Sequence, residues 1–307
     1  MPHNYTNPRI DRPNQQANAY QGRIRLSLSK TIWVSAMALA GSIGSLLTFS
    51  WGAFALFIIS TWVTLCIGHS LGRHRRFIHR SFSCPRWLEL LLIHFGTLVG
   101  IAGPLGMLHT HDVRDWAQRQ ARCHPMFSQN SVWYRDLCWQ VFCTIDLDAP
   151  PRLEPEAEIA NDNVIKWMEK TWMLQQLPWA VLFYAIGGWG WVCWGICSRV
   201  SVSLIGHWLI GFFAHNEDFN SHKLRDWHIR DVAVQGHNVS WTSLLAMGEN
   251  WHNNHHAFPY SAQMGLEPGQ WDPGWWVLNG LARLGLAYDL VLPERTVLRK
   301  ELIRLSH

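Results

Sequence analysis

Two long stretches with almost no charge constrain this chain more than any other feature. Residues 31–68 contain no charged side chain, and residues 171–216 contain only Arg199. As a helix, the first stretch would be about 57 Å long, nearly twice the ~30 Å hydrocarbon core of a membrane. The pattern predicts an all-α membrane protein with four transmembrane helices in two hairpins and a cytoplasmic helical cap. Clusters of histidine near the cytoplasmic ends of the apolar segments predict that this cap holds a histidine-ligated metal site. The predicted crossings are residues 31–49, 51–68, 172–187 and 191–213.

The composition supports a membrane protein. Charged residues make up 16 % of the chain, against about 25 % in soluble domains. Twenty tryptophans fit a large membrane–water interface, where amphipathic rings concentrate. The net charge of +4 is modest, and the basic residues flank apolar stretches. Membrane lipid is therefore the expected partner, with no nucleic acid. Seven cysteines, an odd number, do not indicate a disulfide framework in a chain this long.

The distribution of basic residues predicts the orientation in the membrane. Residues 1–30 are basic and rich in Asn, Gln and Pro, which indicates a largely disordered cytoplasmic tail, with a short interfacial helix over residues 22–30. Five arginines follow the first hairpin between Arg73 and Arg86. By the positive-inside rule, both ends of this hairpin lie in the cytoplasm. No cleavable signal peptide is apparent, because the first thirty residues contain no early apolar segment.

The rest of the chain divides around these hairpins. Residues 90–108 are apolar but interrupted by glycine and proline, and we interpret them as a helix lying in the cytoplasmic leaflet. Residues 110–170 are polar and form the cap. The expected domains are the tail, a membrane domain over residues 31–259 and a cytoplasmic C-terminal segment over residues 260–307. Arg199, a charge inside a predicted crossing, requires either a polar cavity or a position from which its side chain reaches the membrane surface.

Ten of the seventeen histidines lie in three clusters or at the end of a predicted crossing. On a helix, residues 252, 255 and 256 lie at about 0°, 300° and 40°, which is one face. Neutral imidazole is a good ligand for transition metals. The alternative is a solvated polar helix with chance histidines, which repetition of the pattern at the cytoplasmic ends of apolar segments disfavours. The clusters are His69, His74 and His79; His109 and His111; His252, His255 and His256; and the pair His207 and His215.

Two of these clusters resemble the histidine boxes of the membrane fatty-acid desaturase family. His74-Arg-Arg-Phe-Ile-His79-Arg-Ser is similar to the first box of the acyl-CoA (stearoyl-CoA-like) branch, and Gly248-Glu-Asn-Trp-His-Asn-Asn-His-His-Ala-Phe-Pro259 is similar to its last box. The family also has a ligand histidine late in the fourth crossing, four residues after an asparagine. His207 fits that position, with Ser203 in place of the asparagine. The resemblance implies iron ligation by His74, His79, His111, His207, His252, His255 and His256.

The second box departs from the family pattern. Where the family has His-x-x-His-His, this chain has His111-Asp-Val-Arg114-Asp115. Asp115 is a possible oxygen ligand for iron, or else a local surface partner of Arg114. His69 and His215, and also His109 and His124, are further candidates to complete the second metal site. On an α-helix, His74 and His79 are about 140° apart, which suits ligation of two neighbouring metals.

The resemblance implies an oxygen-dependent desaturase that introduces a double bond into a fatty acyl chain at a centre of two iron ions. O2 would be the oxidant, the substrate an acyl-CoA or acyl-lipid, and the electrons would come from a separate ferredoxin-like or cytochrome-b5-like donor. No catalytic residue beyond the metal ligands is expected. A hydroxylase or ketolase on the same scaffold and an inactive lipid-binding relative are the alternatives. A metal-ion transporter is disfavoured, because the predicted crossings contain no carboxylate.

Overall fold

The computed structural model describes residues 9–10, 17–216, 225–295 and 299–306. The described chain is mostly helical, with two small antiparallel sheets of two strands each. Three helices are long and apolar enough to cross a membrane: Leu28–Leu47, Trp51–Ile78 and Leu174–His215. Their apolar side chains point mostly outward, as expected of a surface that faces lipid.

The first two of these helices lie where the sequence predicts the first hairpin. Helix α1 spans Leu28–Leu47, and α2 begins at Trp51 after a short turn. Ser50 caps α2 by accepting a hydrogen bond from the Ala53 amide at 3.2 Å. Helix α2, Trp51–Trp62, continues without a break into a π-helical segment, Val63–Ile78, which carries the first histidine cluster.

The third candidate is a composite helix of 42 residues. It consists of the 3₁₀ turn Leu174–Gln176, α9 (Leu177–Val192), the π-helical segment Cys193–Ser198 and α10 (Arg199–His215). Gly188 interrupts α9 with φ 66° and ψ −159°, a conformation that side chains other than glycine rarely adopt. This break lies within residues 187–190, where three glycines predict the turn of the second hairpin.

Arg199 lies in a polar niche between helices, the first of its two expected settings. Its side chain is 2 % exposed. The guanidinium donates to the carbonyl oxygens of Gly195 and Leu98 and to Oε1 of Gln176. Gln176 in turn donates to the Leu98 carbonyl at 2.9 Å. These neutral acceptors satisfy the hydrogen-bonding groups of the arginine. They also attach it to the C-terminal end of α3, the helix Arg86–Leu98.

Two helices pack beneath the first π-helical segment. Helix α3 spans Arg86–Leu98 and α4 spans Pro104–Gln118. A Cβ on Gly68 would lie 2.3 Å from the Phe95 carbonyl carbon, and one on Gly72 would lie 2.3 Å from the Leu92 oxygen. Only glycine allows this approach of the two backbones. Neither α3 nor α4 is among the candidate membrane helices, and the predicted location of residues 90–108 in the cytoplasmic leaflet stays a prediction.

The cap contains four helices and one of the sheets. The helices are α5 (Pro125–Ser128), α6 (Trp133–Phe142), α7 (Ala157–Ala160) and α8 (Asn163–Lys170). Strand β1, Asn18–Leu26, pairs with β2, Cys143–Ala149. The predicted interfacial helix over residues 22–30 is therefore wrong for residues 22–26, whose backbone pairs with β2, whereas residues 28–30 are helical and begin α1. Residues 18–26 of the predicted tail form an ordered strand. The rest of the predicted tail lies outside the described residues, except Arg9, Ile10 and Ala17.

The C-terminal part packs against the histidine-bearing segments. It contains β3 (Trp227–Ile229), the 3₁₀ turn Ser240–Thr242, α11 (His252–Ala257), α12 (Pro273–Arg283), the 3₁₀ turn Pro293–Arg295 and β4 (Leu302–Arg304), which pairs with β3. Arg75, fully buried, donates to Asp272 and to the Ala262 carbonyl, each at 2.7 Å. This buried ion pair attaches the C-terminal part to the first π-helical segment.

Candidate metal centre

Seven buried or half-buried histidines form two groups with converging ring nitrogens. In the first group, Nε2 of His79 lies 3.2 Å from Nε2 of His74 and 3.3 Å from Nε2 of His111. In the second, Nε2 of His252 lies 3.0 Å from the Nε2 atoms of both His215 and His256. The first group is His74, His79, His111 and His255, and the second is His215, His252 and His256.

The π-helical segment explains how His74 and His79 come together. A π-helix has i→i+5 hydrogen bonds, so that residues five apart lie nearly above one another. The His79 amide donates to the His74 carbonyl at 3.0 Å in this pattern. The two imidazoles therefore belong to one group, and the expectation that they serve two metals is wrong. That expectation assumed α-helical geometry.

The other ligand candidates come from three helices. His111 lies on α4, His215 is the last residue of α10, and α11 carries His252, His255 and His256. Residues 252 and 256 are one α-helical turn apart and share the second group, whereas His255 faces the first. One short helix thus contributes to both groups and determines their separation.

The spacing and protonation of these imidazoles suit metal ligation. Two neighbouring ligands at about 2.1 Å from a metal ion are about 3.0–3.4 Å apart, which matches the separations in both groups. Burial lowers the pKa of His252 to about 3, and burial together with neighbouring histidines lowers the pKa of His79, His255 and His256 well below the usual value. These rings are therefore neutral at pH 7, the form that binds metal.

Carboxylates contact two imidazoles of the first group. Oε2 of Glu249 lies 2.5 Å from Nδ1 of His74, and Oδ1 of Asp112 lies 3.2 Å from Nδ1 of His111. Burial alone would raise the pKa of the Glu249 carboxyl, but His74 and Arg75 outweigh it and hold that pKa well below its usual value. Carboxylates in this position fix the ring and direct Nε2 to the metal.

The motifs in the sequence do not predict a supporting role for Glu249 or Asp112. Each lies close in the chain to a histidine of a cluster, Asp112 directly after His111 and Glu249 three residues before His252. That proximity is the available signal. The contribution of Arg9, which donates to Asp112 at 3.2 Å from the N-terminal part, has no signal in the sequence.

His215, and not His207, lies in the second group. Nδ1 of His215 lies 3.0 Å from the side-chain amide of Gln129, and Nε2 of His215 lies 3.0 Å from Nε2 of His252. His207 and His69 form a separate pair with ring centroids 5.1 Å apart. Both line the cavity beside the groups without joining either.

The altered second box is buried. Asp115 is 7 % exposed, and its Oδ1 accepts from Nε of Arg119 at 3.0 Å. Oδ2 is buried without a hydrogen-bond partner, although Asp115 is in neither histidine group. Arg114 donates to Oε1 of Gln140. The alternative of a surface pair between Arg114 and Asp115 is therefore wrong, because each has a different, inward-facing partner. Of the other candidates, His109 is exposed and His124 caps α5.

A cavity of about 340 Å³ gives access to both histidine groups. It extends from Lys30 and Trp33, at the start of α1, past Arg114 to the histidines. A second cavity of about 190 Å³, with mostly apolar walls, shares Ile101, Ile210 and the His69–His207 pair with the first. An elongated apolar molecule that spans the two cavities would pass both histidine groups.

Comparison with known proteins agrees with this site. The fatty acid desaturase family matches residues 49–266. The chain is 31 % identical over 269 residues to an sn-1 stearoyl-lipid 9-desaturase of Anabaena variabilis, covering 86 % of this chain and 95 % of that protein. It is 30 % identical to an sn-2 palmitoyl-lipid 9-desaturase of Nostoc sp., covering 79 % and 83 %, and 29 % identical to an acyl-CoA 5-desaturase of Anemone leveillei, covering 82 % and 76 %. The histidine boxes, the helices that carry them and these matches together establish that the chain belongs to the fatty acid desaturase family.

Proposed function

We infer that the chain is a fatty-acyl desaturase, an oxidoreductase that removes two hydrogens from neighbouring carbons of an acyl chain and leaves a double bond. The observation that carries this inference is the pair of histidine groups facing one elongated cavity, in a chain of this family. The mostly apolar second cavity offers no charged residue to an acyl chain except Glu249.

We propose that the two groups hold two iron ions. Such ions, with O2 as co-substrate, supply the oxidising power that no side chain has. Seven histidines provide the ligand nitrogens, and we assign Asp115 as an additional oxygen ligand because its Oδ2 is buried and free of hydrogen bonds. His207 and His69 are adjacent in the cavity wall, which favours substrate contact over metal binding for both.

The residues around the groups position the ligands and exclude water. Glu249 and Asp112 hold protons of ligand rings away from the metal side. Leu108 and Ile93, fully buried, belong to the apolar cluster beneath the first group. The cavity wall also contains apolar side chains such as Trp172 and Trp208, which would contact an acyl chain.

We propose four membrane crossings with the metal centre on the cytoplasmic side. The break at Gly188 divides the composite helix into a shorter arm, residues 174–187, and a longer arm, residues 189–215. The longer arm is about 40 Å long and can cross the ~30 Å hydrocarbon core, whereas the shorter arm is about 21 Å long. The arginines after the first hairpin support the cytoplasmic location. The electron donor is then a separate cytoplasmic or membrane-bound protein of the ferredoxin or cytochrome-b5 type, and the substrate an acyl-lipid or acyl-CoA.

Expression in a host that lacks its own desaturase tests this function. Lipid analysis is expected to show a new monounsaturated fatty acid, and the purified protein about two iron ions per chain. A matched chain with His79→Ala should make no such product. A hydroxylated or keto product would show that the chain catalyses the related oxygen-insertion reaction and not desaturation. A protein that binds no iron and forms no product would identify an inactive relative.

A further inference from the structure

Two cations lie in the wall of the large cavity without an ion-pair partner. Lys30 and Arg114 both line this cavity, and within the described part of the chain no carboxylate oxygen lies within 4 Å of either side chain. The two side chains meet at one residue: Arg114 donates to Oε1 of Gln140, and Nζ of Lys30 donates to the Gln140 carbonyl at 3.1 Å. Neighbouring like charges away from bulk water repel each other, and a bound anion would relieve that repulsion.

The carboxylates near these cations are occupied by other groups. Asp136, fully buried, accepts from Gln140 at 3.2 Å and from Nε1 of Trp208 at 2.8 Å. Asp115 accepts from Arg119, and Glu249 lies against His74. The Asp136 carboxylate offsets part of the Arg114 charge from a distance, but it makes no ion pair with either cation, so both cations can still bind an anion that enters the cavity.

The free donors match a carboxylate. Nζ of Lys30 uses two of its three protons, on the carbonyls of Gln140 and Cys143. Nε of Arg114 is buried and has no hydrogen-bond partner. Lys30 therefore keeps one free proton, and Arg114 donates only one of its five N–H groups to the described residues of the protein. A carboxylate can accept from both cations at once.

The location also suits the head of a fatty acid. Lys30 is the last charged residue before the uncharged residues 31–68, so it marks the membrane surface, where the carboxylate of a membrane-dissolved fatty acid resides. From there the cavity leads to the histidine groups. We propose that Lys30 and Arg114 bind the carboxylate of a free fatty acid and that this chain takes the free acid as substrate, in addition to or in place of esterified acyl chains. The proposal rests on the proposed function for the fatty acyl nature of the ligand.

Equilibrium binding of radiolabelled palmitate and methyl palmitate to the purified full-length protein tests this site. The two ligands have the same chain, and only palmitate carries a charge. The wild type is expected to bind palmitate at least roughly tenfold more tightly, as charge-assisted hydrogen bonds would give. Lys30→Met and Arg114→Gln should each remove most of this preference and leave the affinity for methyl palmitate unchanged. Equal binding of both ligands by the wild type would overturn the proposal.

Arg135→Gln is the matched control, because Arg135 is exposed on α6, the helix that carries Gln140, and does not line the cavity. It should retain the full preference, and loss of the preference in this variant too would refute a local site. If a cavity variant misfolds and binds neither ligand, the comparison of palmitate with methyl palmitate on the wild-type protein still tests the proposal. Binding of palmitoyl-CoA to the same variants is measured as well. If Lys30→Met and Arg114→Gln weaken palmitoyl-CoA binding, the two cations bind a phosphate of CoA, and the proposed carboxylate site is refuted. Binding requires no turnover, so a carboxylate preference without desaturation would refute the proposed function alone.

Discussion

His74 and His255 are ligand candidates from different parts of the chain that meet in the first histidine group, with ring centroids 4.6 Å apart. His74→Ala and His255→Ala should each lower the iron content and abolish product formation, while the protein still inserts into the membrane, because each removes a ligand and little packing. Elemental analysis together with lipid analysis measures both effects. His109→Ala is the control, since His109 is exposed, and it should behave as the wild type. Wild-type product from either ligand variant would exclude the assigned role.

Asp115 tests whether the altered second box still binds metal. Asp115→Asn keeps the shape and an acceptor for Arg119, but a neutral amide is a much weaker metal ligand. We expect it to lose iron and activity, whereas Asp115→His should keep iron bound. Iron content per chain and turnover of the purified variants provide the measurement. Full iron occupancy with unchanged turnover in Asp115→Asn would show that the carboxylate serves only to hold Arg119.

Most of the ligand histidines could be predicted from the sequence, because they lie in motifs that resemble known boxes. The choice between His207 and His215 could not, since both are on α10 at the end of the same apolar stretch. Their eight-residue separation puts them about 80° apart around the helix, and helix periodicity alone does not tell which of the two faces the other histidines. What separates them is the position of α11 relative to α10, a tertiary feature that a single sequence does not contain.

At the scale of secondary structure, the apolar helices were predictable and their local geometry was not. Charge distribution predicts both ends of α1 and the start of α2 to within three residues. The predicted end of the second crossing, residue 68, falls inside the π-helical segment Val63–Ile78. The π-helical geometry of Val63–Ile78 has no comparable signature, because it depends on contacts with α3. Strand β1 was missed for a similar reason: its partner β2 lies more than a hundred residues later. Strand β2 does alternate apolar and polar residues over Cys143–Ala149, and this alternation is the signal that the sequence offers for the pair.

The close packing of the π-helical segment against α3 predicts a strong effect of a single methyl group. Gly72→Ala would place a Cβ 2.3 Å from the Leu92 oxygen. We expect the variant to be destabilised by about 1–3 kcal/mol, seen as a lower denaturation temperature in detergent. Gly280→Ala on α12 meets nothing within 4 Å and should be neutral or slightly stabilising. An unchanged denaturation temperature for Gly72→Ala would show that the two helices separate without cost.

For the whole molecule, the proposed topology can be tested with one natural and one introduced thiol. Cys138 is an exposed free cysteine on α6 in the cap. Trp189 is 67 % exposed and follows the break at Gly188. An impermeant maleimide should label Cys138 only from the cytoplasmic side. In a Cys138→Ser background, Trp189→Cys should react only from the opposite side. Labelling of both positions from the same side would refute four crossings.

The two histidine groups combine early and late parts of the chain, and this affects how the protein is made. The first group needs His74 near the beginning and His255 near the end, 181 residues later. At about 5–20 residues per second, synthesis of that interval takes roughly 10–40 s. Throughout that time the nascent chain presents only a partial set of imidazoles, and the second group has at most His215. A complete set of imidazoles for either group therefore exists only once residues 252–256 have left the ribosome, so a metal held by these groups would be acquired late in synthesis or after it.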